Sequence, residues 1–339
     1  MAAVGLAIAS PGLADGTAAY SLTRTQQWEM TSASGEPYRI SLALPEGAAP
    51  PAGYPVIFLL DPEWSFATLV ETARLQEPFT GPAVIVGIGY PGDSAKRRLL
   101  DLTIPVDRAT LPNNRFDPPY GAIGGADRFL EFITTRLKPA VASHVPVDRD
   151  RQALVGHSLG GLFVLHVLFT QPTAFSSYVA GSPSIWWGNR AIVGEMRSPP
   201  RLDQAGKQRI LITVGAREQQ SSAAQEAAAA ATVDAHDRTA VVAMSRCLTT
   251  AMAEVDNTRW LAQALMDTRD SRLAVNFAEF EDEDHLSVVP AFLARAWRYA
   301  LAAPSGSPPL GHRIAGPKMP PTDLLACTRP YQAARRNRP

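Results

Sequence analysis

Apolar and polar positions follow two different periods along the chain, and the change from one to the other marks out its elements. RTQQWEMTSAS (24–34) and YRISLALP (38–45) alternate with a period of two around a turn at Gly35, which predicts a pair of antiparallel strands. Six later runs are apolar almost throughout, at 54–61, 82–90, 152–157, 176–182, 209–215 and 273–280. Such runs predict strands covered on both faces, as in a parallel sheet. Between them the apolar spacing widens to three and four residues over 126–142, 159–172, 257–267 and 290–302, which predicts helices. Two antiparallel strands followed by alternating strand and helix predict an α/β fold with an eight-stranded, mostly parallel sheet and helices on both faces.

Two segments interrupt this rhythm inside a main domain expected at 21–303. Residues 219–250 contain AAQEAAAAATVDA, an alanine-rich insertion expected to be helical and on the surface. From Pro304 to Pro339 eight of 36 residues are proline and no apolar period persists, so this stretch is expected to be a poorly ordered tail that can be removed after Ala303 without loss. The first 20 residues begin with a short apolar run followed by small residues. They read either as a truncated secretory signal without its basic start or as an alanine-rich terminus with no structure of its own.

Composition narrows the function classes. At 46% hydrophobic and 19% charged residues, the chain has the profile of a globular domain. Thirty-two basic side chains balance 32 acidic ones, so no global field favours nucleic acid. The tail holds six of the basic and one of the acidic residues, which leaves the rest with 26 and 31, a net −5. No run approaches the roughly 18 apolar residues of a membrane span. Cys247 and Cys327 rule out a cysteine-based zinc site and leave room for one disulfide in an oxidising compartment. A periplasmic or secreted location is the expectation, a cytoplasmic one the alternative.

The chemistry concentrates in QALVGHSLGGLFVLHVLF (152–169). Gly156-His157-Ser158-Leu159-Gly160 follows a predicted strand and opens a predicted helix, the setting of a nucleophile elbow, in which glycines keep a sharp turn clear of side chains. A serine hydroxyl needs a base and the base an orienting acid, in the chain order serine, acid, histidine for this architecture. Of six histidines, His285 stands in the loop after the last strand, where a base is delivered; His166 lies on the apolar helix and reads as packed. Glu218, three residues past the strand ending at Gly215, is the candidate acid; Asp282, Asp284, Asp256 and a dyad without an acid are the alternatives. Charge developing on a carbonyl oxygen calls for two N–H donors. Leu159 should supply one and the loop after FLLD the other, from Glu63 or Trp64, since Pro62 has no N–H. No metal or other cofactor is expected.

Taken in order, YPVIFLLDPEWSF, VIVGIGYP, KRRLLDLTIP, GGADRFLEFI, VGHSLGGLFVLHVLF, GSPSIWWGN, TVGAREQ and EDHLSVVP resemble the putative-esterase family of α/β hydrolases, in particular the siderophore trilactone esterases that open enterobactin and salmochelin. The resemblance spans about 24–302. It implies the α/β-hydrolase fold, Ser158 as nucleophile, His285 as base and Glu218 at the family's glutamate position. It also implies that Arg98, before Asp101, helps hold a catecholate or its iron chelate. Arg97 and Arg98 suit an oxygen-rich anion, and Trp64, Trp186 and Trp187 offer faces for aromatic rings. The chain departs from the family where DPE replaces the usual DG, where Leu286 replaces a glycine, and in the insertion and tail.

The leading expectation is therefore a serine esterase cleaving catecholate siderophore lactones, with a small-molecule ester, iron-chelated in its special case, as partner. The competing readings are a general carboxylesterase or thioesterase such as S-formylglutathione hydrolase, an acyltransferase sharing the elbow, and a non-catalytic chelate carrier on the same scaffold.

Overall fold

The structure, a computed structural model, describes residues 20–302 apart from 93, 112–120 and 198–207, together with 323–328. The candidate signal segment up to residue 19 and most of the tail lie outside the described residues.

Eight strands form one sheet: β1 (Thr25–Thr31), β2 (Pro37–Ala43), β3 (Tyr54–Leu60), β4 (Val84–Gly89), β5 (Val147–His157), β6 (Ser177–Gly181), β7 (Gln208–Gly215) and β8 (Leu273–Phe280). Their order is β1-β2-β4-β3-β5-β6-β7-β8. β1–β2 and β2–β4 pair antiparallel and the other neighbours are parallel, the α/β-hydrolase arrangement. From β3 the chain passes outward to β4 and then returns to place β5 on the other side of β3. Loops leaving β3 and β5 therefore diverge, and a crevice opens between their C-terminal ends.

Helices cover both faces. Alternate residues of β3 show the division: Ile57 and Leu59 join Leu69 and Val70 of α1 (Pro62–Thr80) and Phe292 and Trp297 of α11 (Val288–Leu301). Phe58 and Leu60 face the opposite core with α2 (Ser94–Asp101), α3 (Ala126–Phe132), which continues through a π turn into α4 (Lys138–His144), α5 (Leu159–Thr170) and α10 (Glu254–Asp267). α5 is buried from Leu159 to Phe169, which explains why its sequence is apolar all round. α6 (Trp187–Arg190) and α7 (Ile192–Arg197) follow β6.

The alanine-rich insertion forms two packed helices. α8 (Ala223–Ala231) starts at a reciprocal capping box between Ser222 and Gln225 and buries none of its residues. α9 (Arg238–Met252) buries Val241, Met244 and Leu248, and its Arg246 pairs with Glu226 of α8.

The tail departs from expectation. Residues 324–328 form a helical turn, and Cys327 is disulfide-bonded to Cys247 of α9. Leu324 and Cys327 are buried with Met244 and Leu248, and Trp186 packs against the same cluster. The turn is too short to show a period, and a covalent bond supplies what its small apolar area does not. Closing a loop over a sequence separation of 80 is worth about 4–5 kcal/mol in the chain-entropy account. Cys327→Ser, or a chain ending at Ala303, is therefore expected to lower the thermal midpoint by several degrees. Thiol titration of the unreduced, denatured protein should find no free thiol. An unchanged midpoint in both variants would show that the clip contributes nothing.

Candidate active site

β5 ends at His157, and Ser158 turns the chain into α5 with φ 60 and ψ −119, a strained conformation for a residue with a side chain. Its glycines are sterically required. A Cβ on Gly156 would lie 2.4 Å from Gly160 O, and one on Gly161 would lie 2.7 Å from Gly181 O. Ser158 N–H donates to Gly181 O at 2.9 Å, which fixes the elbow to β6.

His285, in the loop after β8, brings its Nε2 to 3.0 Å from Ser158 Oγ. Its Nδ1 lies 2.6 Å from Glu218 Oε2. A carboxylate accepts, so the proton sits on Nδ1 and Nε2 is left to accept from the serine hydroxyl. Glu218 is buried, and its Oε1 accepts from Ser182 Oγ at 2.5 Å and Gly215 N–H at 2.6 Å. Three donors on one buried carboxylate hold it fixed. The alternative acids are engaged elsewhere: Asp282 pairs with Arg217, Asp284 caps Leu286 and Ser287, and Asp256 binds Gln219.

Two helix starts offer N–H groups without an acceptor among the described residues. Leu159 is the first residue of α5, and its N–H has no acceptor among the described residues. α1 begins directly after β3, where a loop was expected, because Pro62 is suited to a first helical position. Asp61 before it takes φ 52 and ψ 53. Trp64 N–H donates to Asp61 O at 3.4 Å, whereas Glu63 N–H has no acceptor among the described residues. The Glu63 carboxylate is turned away and accepts from Tyr90 N–H at 2.9 Å, in space that a Cβ on Gly89 would fill.

Residues 31–263 match the family described as Putative esterase. Ferri-bacillibactin esterase BesA of Bacillus subtilis is 37% identical over 273 residues, covering 78% of this chain and 84% of that protein. The siderophore triacetylfusarinine C esterase of Aspergillus fumigatus is 33% identical over 293 residues, covering 81% and 92%. Among solved structures, the siderophore hydrolase EstA of Aspergillus nidulans superposes with a TM-score of 0.68 at 31% identity, covering 84% of this chain and 98% of that one. The chain belongs to the Putative esterase family. It is an ester hydrolase of the α/β-hydrolase fold.

Within this esterase the expected binding residues fare unevenly. Arg98 does not offer a free cation: its Nε and Nη2 hold Asp61 at 2.5 and 2.9 Å, and its guanidinium stacks 4.8 Å from the Trp64 ring centre. It clamps the strained residue that starts α1. Arg97 is likewise engaged, with Glu36, Asp101 and Tyr38. Trp187 is corrected as well. It is 1% exposed, and its Nε1–H donates to Ile104 O, so it packs the core. Trp186 is half-buried against it and against the disulfide cluster. Trp64, by contrast, is 63% exposed beside Glu63, and Leu286 is 70% exposed beside His285.

Four nearby residues were given no role by the sequence reading. Ser182 (φ 41) bonds Glu218, and Ser184 Oγ stands 3.4 Å from Ser158 Oγ. The His157 ring lies 4.6 Å from that of His285, and burial, then the charges of His285 and Arg98, push its pKa well below the ordinary histidine value. Glu254, at the start of α10, is buried near Glu218 and His285, with donor atoms of all three within 4.8 Å of one another. Within this cluster His285 and Glu218 are already joined by the Nδ1–H···Oε2 hydrogen bond.

Proposed function

We propose that the esterase works through a Ser158–His285–Glu218 triad on siderophore esters, catecholate lactones among them. The observation that carries the reading is the continuous hydrogen-bond chain from Ser158 Oγ through His285 to Glu218, at 3.0 and 2.6 Å. Ser158 Oγ attacks the ester carbonyl as its proton passes to His285 Nε2. Glu218 stabilises the imidazolium, and the N–H groups of Leu159 and Glu63 receive the oxyanion. Collapse expels the alcohol, which takes the proton from Nε2, and leaves an acyl-serine. Water then repeats the sequence, giving up its proton to His285 and releasing the acid and the free serine.

Three similar proteins whose names specify a siderophore substrate or function support that substrate class. With Arg98 clamped, substrate recognition rests on apolar and aromatic contact. The exposed Trp64 face and Leu286, beside the oxyanion donor and the base, suit flat rings. A panel of ferric catecholate trilactone, iron-free trilactone and a simple aryl ester tests the reading. We expect kcat/KM for a trilactone to exceed that for the aryl ester by roughly 100-fold, about 2.7 kcal/mol of transition-state binding. Efficient aryl ester turnover with no trilactone cleavage would make it a general carboxylesterase. We also infer an oxidising compartment, which the Cys247–Cys327 disulfide supports. Recovery of the protein from the cytoplasm with both thiols free would refute that.

A further inference from the structure

We propose that Glu254 is a positioning residue for the Glu218–His285 pair and that it works as a neutral, protonated carboxyl. This rests on the triad reading above. Glu254 is held in place by the way α10 begins. Ala253 takes φ 48, and Gln219, next to Glu218, accepts from Asp256 N–H at 2.6 Å and donates to Asp256 Oδ2 at 3.0 Å. The start of α10 and the Glu218 turn are thereby locked together, with Glu254 beside Glu218.

The two carboxyls have opposite surroundings. Glu218 collects three donors, from His285, Ser182 and Gly215. Glu254 Oε1 is buried and has no hydrogen-bond partner among the described residues. The cations on the neighbouring elements are engaged with other groups. Arg190 of α6 donates to Asn257 Oδ1, Arg259 of α10 pairs with Glu279, and Arg217 pairs with Asp282. A buried neutral carboxyl lacking one partner costs about 1–3 kcal/mol, whereas a buried anion beside a second anion costs several more. One negative charge is therefore shared out unequally, to Glu218, and one proton stays on Glu254. Burial and then the Glu218 charge raise the pKa of Glu254 well above the usual carboxyl range.

Two consequences follow for the base. His285 faces one negative charge rather than two, beside the Nε2 that accepts from Ser158. The Glu254 side chain also fills the space beside the buried Glu218, where water would otherwise loosen the pair.

The test compares wild type, Glu254→Gln and Glu254→Ala on a simple aryl ester between pH 5 and 9, with Ser158→Ala as the blank, and follows unfolding over the same range. Glutamine mimics the neutral acid. It should keep kcat within about threefold and leave the acid-limb midpoint of kcat/KM unchanged. Alanine should lower kcat roughly ten- to hundredfold at constant KM, a loss that glutamine restores. The raised pKa also has a sign in stability. Its penalty is absent below the unfolded glutamate pKa and grows as pH rises, because the unfolded chain releases a proton that the native state keeps. The unfolding constant of wild type should thus rise relative to that of Glu254→Gln by about tenfold per pH unit above that range, until native Glu254 ionises. A lowered acid midpoint in Glu254→Gln, a stability difference independent of pH, or an alanine variant as active as wild type would overturn the proposal. Hydrolysis surviving in Ser158→Ala would count against the nucleophile assignment instead, and the unfolding comparison tests Glu254 independently of it.

Discussion

Replacing Ser158 with alanine is expected to cut ester hydrolysis by roughly 10⁴–10⁶-fold and to abolish labelling by a fluorophosphonate, while the fold stays intact. Among the described residues the hydroxyl meets only the polar atoms of His285 and Ser184, and neither depends on it for burial of a charge. Its φ of 60 is set by the elbow, so alanine inherits the same backbone strain rather than relieving it. His285→Ala should be comparably inactive, since members of a triad fail as a unit. The two variants should differ in stability. Removing the imidazole takes one of three donors from a carboxylate with no exposed side-chain surface, at a cost of about 1–3 kcal/mol. Equal melting of the two variants would mean that water replaces the lost donor. Persistent labelling of Ser158→Ala would move the nucleophile to another serine, Ser184 first because its hydroxyl is 3.4 Å away.

Where the chain repeats a period, its structure was legible. The eight runs read as strands are the eight strands of the sheet, and the side chains of Ser158, His285 and Glu218 meet because topology delivers each at the end of a particular strand. β5 extends back to Val147 through Asp148, Arg149, Asp150 and Arg151, a charged stretch that hides the strand because Arg149, Asp150 and Arg151 are exposed. α1 was missed because Asp61-Pro62 reads as a break, although proline at a first helical position begins a helix. Arg98 and Trp187 show the limit of assigning contacts from type alone. An arginine near a site is a ligand only if no carboxylate reaches it first, and Asp61 does. Glu254 and Ser182 are set by tertiary contacts across more than 30 residues, which no local pattern encodes. The tail turn is held by a bond between two single cysteines, and spacing alone allowed but did not require it.

Glu218→Gln is expected to lower kcat by about 10⁴-fold, near 5.4 kcal/mol, with little change in KM. The geometry forces this result, because the amide has only one way to fit. Ser182 Oγ–H and the Gly215 N–H both donate to Oε1, and the backbone donor cannot turn round. The amide oxygen must therefore take the Oε1 position, which leaves the NH₂ group facing His285 Nδ1. That NH₂ is a donor, so Nδ1 has to accept and the imidazole proton moves to Nε2. Nε2 then points a hydrogen at Ser158 Oγ, 3.0 Å away, and can no longer take the hydroxyl's proton. Flipping the amide would set two N–H groups against each other at Gly215, in a site closed to water. Substrate contacts at Trp64 and Leu286 are untouched, so binding should survive while turnover fails. A kcat within tenfold of wild type would show that another group orients the imidazole. Raising the pH should not restore activity, because the defect is a tautomer and not a charge.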